Sequence, residues 1–293
     1  MSALGSQSST GAAVPERVGV IGGGRMGAGI AHAFLMAGAV VAVVERDAAA
    51  ATAARGRIAD HVRRSLERGA AGEEDVLRAR LDVGADAEML AESRLVVEAV
   101  PEDRDLKRDA LRRAEASAPS AVLATNTSSI SVDDLARDLQ RPERFLGLHF
   151  FNPVPASQLV EIVVGGATDP DLVDAARGWV DAIGKVPIVV RDSPGFASSR
   201  LGVALGLEAI RMVEEGVASP ADIDTAMERG YRHPVGPLRT TDLVGLDVRL
   251  GIAEELHAQL GDRFAPPQLL RHMVAEGRLG RKTGRGFYEW SEQ

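Results

Sequence analysis

The chain contains no cysteine. That excludes disulfide staples, thiolate catalysis and cysteine-ligated metal sites together. It also lacks an excess of positive charge: 34 Lys and Arg stand against 42 Asp and Glu, a formal net charge of −8. A nucleic-acid binder needs a basic surface to meet phosphates, so no nucleic-acid partner is expected, although a local basic patch could still hold one anionic ligand. No apolar run reaches the roughly 18 residues of a membrane span, and no membrane partner is expected. The opening stretch MSALGSQSSTGAAV has neither a basic start nor an apolar segment behind it, so it does not read as a signal peptide. Residues 1–15 are expected to form a disordered leader of a cytoplasmic protein. The six histidines are scattered without paired ligand spacing, and no metal is expected.

What is present is an ordinary soluble balance, 45% apolar and 26% charged, over 293 residues, enough for two domains. From Arg17 onward, apolar runs of strand length alternate with amphipathic stretches of helix length. The spacing predicts strands at 18–21, 40–45, 95–100, 122–125, 145–151, 159–164 and 188–190. Such alternation implies crossover connections and a largely parallel sheet covered on both faces. The strands around Leu148 and Ile162 are joined by only a short Pro-containing segment, so some antiparallel pairing is expected there. After "RDSPGF" the texture changes, and apolar positions recur at helical spacing in "LGVALGLEAIRMVEEG". "SPAD" at 219–222 supplies a Ser cap, a Pro at the first helical position and an acid in the first turn. The expected fold is thus α/β: a Rossmann-type domain over 16–192 followed by an all-helical domain over 193–293.

In "VGVIGGGRMGAGIAHAF", Gly22, Gly24 and Gly27 fit G-x-G-x-x-G between an apolar strand and a helix. The first glycine permits a tight turn, the second lets backbone approach a pyrophosphate, and the third lets helix pack on strand. The helix N-terminus, with Arg25 and Met26 in its first turn, would receive the pyrophosphate on its free N–H groups. Glu45 ends the second strand 18 residues beyond Gly27, where an acid grips the adenosine ribose hydroxyls. That acid disfavours a 2′-phosphate, so NAD is expected over NADP, with Arg25 and Arg46 as the residues that could weaken the preference.

Four further stretches carry more polar chemistry than packing demands. "EAVPEDRDLK" sets Glu98, Glu102 and Lys107 behind an apolar strand, either as a soluble helix start or as ligand contacts at the sheet's carboxyl edge. "ATNTSSIS" offers Asn126 and Ser128 as ligand candidates, with Ser131 capping the next helix. "LGLHFFNPVP" places His149 among apolar residues, and "LVEIVV" buries Glu161 in a run where an unpaired carboxylate is costly. If the two strands align, Glu161 accepts the imidazole N–H of His149, fixing the tautomer and leaving the other nitrogen as a base. Such a base suits alcohol oxidation, where a hydride leaves carbon as the hydroxyl proton is removed. A basic stripe, Arg57, His61, Arg64 and Arg68, falls on one face of a helix. It either holds the phosphates of an adenosine-containing carrier or is a solvated face.

With "VVEAVPED", "GLHFFNPVP", "LVEIV", "DSPGF", "EEGVASPADIDTAM", "HPVGPL", "DLVGLDV" and "LGRKTGRGFYEW" added to the glycine loop and "ATNTSSIS", the chain resembles the short-chain 3-hydroxyacyl-CoA dehydrogenases. More narrowly it resembles the bacterial 3-hydroxybutyryl-CoA dehydrogenases, from about Arg17 to Trp290. The resemblance implies an NAD-binding domain, a helical domain that dimerises, and an acyl-CoA substrate in the cleft between them. It implies His149 as catalytic base, Glu161 as its orienting partner and Ser128 as a substrate contact. It assigns Glu45, Glu102, Lys107, Asn152 and Lys282 to NAD, and the face of His61, Arg64 and Arg68 to CoA. The family commonly has "PGF-x-x-N-R", whereas this chain has "PGFASSR"; Ser199 stands at the Asn position and is expected to replace its substrate contact. Gly23 stands where the family often has alanine, a change expected to be harmless. The expected reaction is reversible NAD-dependent oxidation of short-chain (3S)-3-hydroxyacyl-CoA to 3-oxoacyl-CoA. Alternatives are the same chemistry on an acyl-carrier-protein thioester or a free hydroxy or sugar acid, or a non-catalytic NAD-binding structural protein.

Overall fold

The structure is a computed structural model that describes residues 13–290. The expected leader lies outside the described residues except for 13–15. The chain falls into two compact units, one ending at Asp192 and one beginning at Ser193.

The first unit alternates strands and helices: β1 (Arg17–Ile21), α1 (Arg25–Met36), β2 (Val40–Val44), α2 (Ala48–Glu67), α3 (Glu74–Ala79), β3 (Leu81–Gly84) and β4 (Leu95–Glu98). Then follow α4 (Arg104–Ser117), β5 (Val122–Thr125), α5 (Val132–Ala136), β6 (Phe145–Phe150), β7 (Leu159–Val164), α6 (Pro170–Ala182) and β8 (Val186–Arg191). Helix starts follow the side-chain chemistry. Asp47 accepts from Ala50 N at the head of α2, and Asp103 accepts from Asp105 N and Leu106 N at the head of α4. Asp169 with Pro170 opens α6, and Ser131 accepts from Asp134 N to open α5. Each bond satisfies an N–H that the helix itself leaves without a partner.

The strands form one eight-stranded sheet in the order β3-β2-β1-β4-β5-β6-β7-β8. β1 through β6 run parallel, β7 runs antiparallel to β6, and β8 runs parallel to β7. The sheet is covered by Phe34, Leu35 and Ile58 from the helices and by Val20, Val43, Leu146 and Phe150 from the strands, all buried. Strand β3 was not among the expected strands. The reversal in strand order between β1 and β4 opens a crevice at the carboxyl ends, where sheets of this kind bind ligands.

The second unit is helical: α7 (Ser198–Glu214), α8 (Pro220–Thr225), α9 (Pro237–Val244), α10 (Leu246–Leu260) and α11 (Gln268–Ala275). Ser219 caps α8 by accepting from Asp222 N. Val203, Leu207, Ile210, Leu238, Leu256 and Leu270 form a separate core. Its two buried acids serve the fold. Asp242 accepts from Phe287 N, Tyr288 N and Trp290 Nε1, and Asp224 accepts from the Tyr288 hydroxyl, so the "GRGFYEW" segment is tied down by buried carboxylates. Among the described residues, no helix is long and apolar enough to cross a membrane, and no cluster of three or more His, Asp or Glu could hold a metal.

Candidate active site

The chemistry-bearing residues of the first unit gather at one edge of the sheet because they follow parallel strands. The glycine loop follows β1, Glu45 follows β2, Glu98 ends β4 with Glu102 just beyond, Asn126 to Ser129 follow β5, and His149 lies near the end of β6. That shared edge follows from the parallel register.

In the glycine loop, Gly22 has φ +86, which a side chain would strain. A methyl on Gly27 would stand 1.7 Å from Gly22 O, whereas one on Gly24 would meet nothing within 4 Å. Gly24 caps α1 without a side-chain bond, and the first turn of α1 carries no acid. The loop therefore presents open backbone and free N–H groups to an anion, as a pyrophosphate requires. Glu45 Oε1 accepts from Gly23 N at 2.8 Å, which places the carboxylate expected to grip the ribose against the loop. Arg57 closes the other side by donating to Gly23 O at 3.1 Å. Arg46 turns to Asp47, while Arg25 is exposed. A methyl on Gly23 would stand 2.4 Å from Ala54 Cβ, so here the glycine is required by α2 rather than incidental.

The helix start at Glu98, Glu102 and Lys107 falls to Asp103, which does the capping; Glu98 and Lys107 are buried as a pair, and Glu102 joins them from the exposed edge. Lys107 Nζ lies 2.9 Å from Glu98 Oε1 and 3.2 Å from Glu102 Oε2. Glu98 also accepts from Thr125 Oγ1 at 2.6 Å and Val100 N at 2.7 Å. Glu102 Oε1 accepts from Thr127 Oγ1 at 2.6 Å, Ser128 N at 2.8 Å and Ser129 N at 3.1 Å. Burial pushes the Glu102 carboxyl up, but the charge of Lys107 and the bonds from Thr127 and Ser128 outweigh it and hold it below the usual carboxylate range. Glu102 thus shapes the loop that carries Ser128. Thr127 and Ser129 were not singled out as site residues, though a run of hydroxyls and N–H groups signals the need for an acceptor. Asn126 Oδ1 accepts from Phe150 N at 2.9 Å and so ties the β5 loop to β6.

His149 and Glu161 are register partners across β6 and β7. Opposed residues of an antiparallel pair point to the same face, so the side chains meet. His149 Nδ1 lies 2.6 Å from Glu161 Oε2, with His149 6% exposed and Glu161 fully buried. A carboxylate only accepts, so Nδ1 is the donor and the ring's basic position is Nε2. The Phe151 ring packs on the imidazole at 4.5 Å between centroids.

The remaining expected residues are placed separately. His61 and Arg64 lie on α2 and Arg68 caps its C-terminal end; both arginines are exposed and His61 is half-buried against His32. Burial, then the charge of Arg64, holds His61 below the usual imidazole range, so the positive charge of this face comes from the arginines. Asn152 is exposed just past β6. In the second unit, Ser199 sits in the first turn of α7, and Lys282 Nζ pairs with Asp247 at 2.5 Å.

Residues 17–193 match the NAD binding domain of 3-hydroxyacyl-CoA dehydrogenase, and residues 195–290 match that enzyme's C-terminal domain. The chain belongs to the 3-hydroxyacyl-CoA dehydrogenase family. Within the family it is 41% identical over 281 residues to a 3-hydroxybutyryl-CoA dehydrogenase of Mycobacterium tuberculosis, covering 94% of this chain and 98% of that one. It is 36% identical over 301 residues to the mitochondrial hydroxyacyl-coenzyme A dehydrogenase of Sus scrofa, covering 97% and 96%. The solved (S)-3-hydroxybutyryl-CoA dehydrogenase of Ralstonia eutropha superposes with a TM-score of 0.90 at 38% identity, covering 95% of this chain and all of that one. A 3-hydroxyacyl-CoA dehydrogenase of this family is an oxidoreductase that uses NAD, and the glycine loop with Glu45 fits that cofactor.

Proposed function

We propose that the chain interconverts short-chain (3S)-3-hydroxyacyl-CoA and 3-oxoacyl-CoA, with His149 as the proton-transfer residue. The observation that carries this reading is the 2.6 Å bond between His149 and Glu161. When bound, NAD supplies the hydride acceptor. His149 takes the hydroxyl proton at Nε2, and Glu161, buried and held in register, keeps the ring in that tautomer and offsets the imidazolium charge. Ser128, whose hydroxyl donates to Glu102 Oε1 at 3.2 Å in the free protein, turns that hydroxyl to the substrate oxygen in this reading. Glu45 holds the adenosine ribose, Gly22, Gly24, Arg25, Met26 and Gly27 receive the pyrophosphate, and Lys107 acts by holding Glu102. Asn126, Asn152 and Lys282 are further cofactor contacts in this reading. Arg64 and Arg68 meet the CoA phosphates beside His61, and Ser199 is a substrate contact of the helical unit.

Replacing His149 by Ala is expected to lower turnover of acetoacetyl-CoA with NADH by roughly 10²–10⁴, the usual worth of a positioned acid–base, while NADH binding is retained. Full turnover in that variant would sink the assignment. A cytoplasmic location and a homodimer formed through the helical unit accompany this reading. The exposed apolar side chains Leu201, Val244 and Val248 support the dimer, and sedimentation at micromolar concentration would expose a monomer.

A further inference from the structure

Asp192, in the "DSPGF" stretch, is the last residue of the first unit. Its N–H donates to Val164 O at 2.8 Å, one step past the Val164–Arg191 register pair, so β7 fixes where its backbone lies. Its carboxylate turns to a different segment. Asp192 Oδ2 accepts from the Ser131 hydroxyl at 2.6 Å and from Asp133 N at 2.9 Å, at the head of α5. The Ser131 hydroxyl has one proton and gives it to Asp192, which leaves its lone pairs for Asp134 N at 3.1 Å. Asp133 makes a second link to the end of β7: its Oδ1 accepts from Gly166 N at 2.6 Å. A methyl on Gly165 would stand 2.7 Å from that same oxygen, so the turn after β7 closes tightly on α5.

These bonds bear on Ser128, which lies between two clamps in the segment from β5 to α5. On the near side, Asn126 Oδ1 accepts from Phe150 N, which refers the segment to β6. Glu102 Oε1 takes the Thr127 hydroxyl and both the N–H and the hydroxyl of Ser128 and of Ser129. Five donors exceed what the lone pairs of one oxygen can serve at full strength, so the Ser128 hydroxyl, the longest of them at 3.2 Å, is held loosely. Glu102 fixes the segment relative to β4 and α4 and does not set its distance from β7, the strand of Glu161. On the far side, Asp192 supplies that reference.

We propose that Asp192 is a positioning residue: by tying the far end of the Ser128 segment to β7, it holds Ser128 in reach of the oxygen that His149 deprotonates. The assignment rests on Ser128 as a substrate contact. Asp192 touches neither substrate nor cofactor; it makes the spacing between the hydroxyl and the imidazole a property of the β7–β8 pair. A displacement of about 1 Å at such a contact can cost about 100-fold in rate. Both donors to Asp192 are neutral, so the role needs an acceptor in place rather than a charge, and an amide oxygen can fill it.

The test measures turnover of acetoacetyl-CoA with NADH in Asp192→Ala, Asp192→Asn and Ser128→Ala, and in the double variant Asp192→Ala with Ser128→Ala. Asp192→Ala is expected to lower kcat/KM about 10- to 100-fold. NADH binding should stay within about twofold of the wild type, because the glycine loop and Glu45 follow β1 and β2, away from this clamp. Asp192→Asn should recover turnover to within about fivefold, the difference between a charged and a neutral acceptor. In the Ser128→Ala background, Asp192→Ala should cost less than about threefold more, since it acts through the hydroxyl already removed. Amide hydrogen exchange over residues 127–131 should be about tenfold faster in Asp192→Ala and restored in Asp192→Asn. Ser131→Ala, which removes one of the two donors, should fall between the wild type and Asp192→Ala, and serves if the latter does not fold. Full turnover in Asp192→Ala, a loss that asparagine does not recover, or losses that multiply in the double variant overturn the proposal. If Ser128→Ala keeps full turnover, the functional reading fails at Ser128, and the exchange rates still decide whether Asp192 holds the segment: unchanged exchange shows that it does not.

Discussion

Lys107 is 1% exposed and Glu98 is fully buried, a depth at which two charges persist only as a pair with their remaining hydrogen bonds filled. Here they are filled: Glu98 also receives Thr125 and the Val100 N–H, and Lys107 reaches Glu102 and Val100 O. The arrangement links β4, β5 and α4 and sets the position of Glu102, hence of Ser128. Removing one partner leaves the other buried and uncompensated. Lys107→Met is therefore expected to cost about 3–5 kcal/mol in urea unfolding of the first unit. The double replacement Lys107→Met with Glu98→Gln removes both charges and should recover at least half of that loss. Wild-type stability in the single variant would show that the pair does not carry this load. The sequence raised these three residues as either a helix start or ligand contacts. It could not choose, because the capping role belongs to Asp103 and depends on backbone geometry that spacing does not encode.

At the scale of elements, the glycine loop, β2 and α2 meet where Gly23 faces Ala54. A Cβ at 23 would stand 2.4 Å from Ala54 Cβ and 3.2 Å from Val43 Cγ1, so the loop and α2 cannot both stay in place. Gly23→Ala is expected to shift the loop away from Glu45 and α2 and to weaken NADH binding about tenfold, which corresponds to about 1.4 kcal/mol. Adding Ala54→Gly removes the opposing methyl and should bring the dissociation constant back to within about threefold of the wild type. Undiminished binding in Gly23→Ala alone would show that α2 yields instead. Glycine at 23 was expected to be harmless in place of alanine; the tight fit adds that alanine is not tolerated here, a constraint hidden in sequence because positions 23 and 54 meet only once α2 is docked. The same limit governed β3, whose "LDVG" has four residues, alternating burial and an edge position, and follows directly on α3. The pairing of β6 with β7 was legible, because a short Pro-containing connection forces the reversal and the acid in "LVEIVV" demands a partner. β4 stops at Glu98, short of the expected residue 100, because the Val100 N–H turns back to the Glu98 carboxylate instead of continuing the ladder. Long-range bonds such as Glu45 to Gly23 N left no mark in either segment.

For the whole chain, the two units carry one tryptophan each, Trp179 on α6 in the first and Trp290 in the second, so their unfolding can be followed separately. The first unit has an acid-sensitive point at His32, where α1 packs on α2. Its Nε2 lies 2.9 Å from Ser65 Oγ, and its ring faces His61 at 5.7 Å. Burial first, then the charges of His61 and Lys185, lowers the His32 imidazole to about 4, from 6.5 in an open chain. Between those values the unfolded chain holds the extra proton, so stability is present above about pH 6.5 and is lost as pH falls towards 4. By pH 5 the loss from this residue is about 2 kcal/mol, at 1.36 kcal/mol per pH unit. His61, itself held low by burial and by Arg64, adds in the same direction. In a Trp290→Phe background, Trp179 fluorescence during urea unfolding reads the first unit alone. The stability difference between pH 7.5 and pH 5 should shrink by about 2 kcal/mol when His32→Gln, which cannot take up the proton, is added. If the difference is the same with and without His32, the acid sensitivity arises elsewhere, and the packing of α1 on α2 does not set the pH range in which the first unit holds its fold.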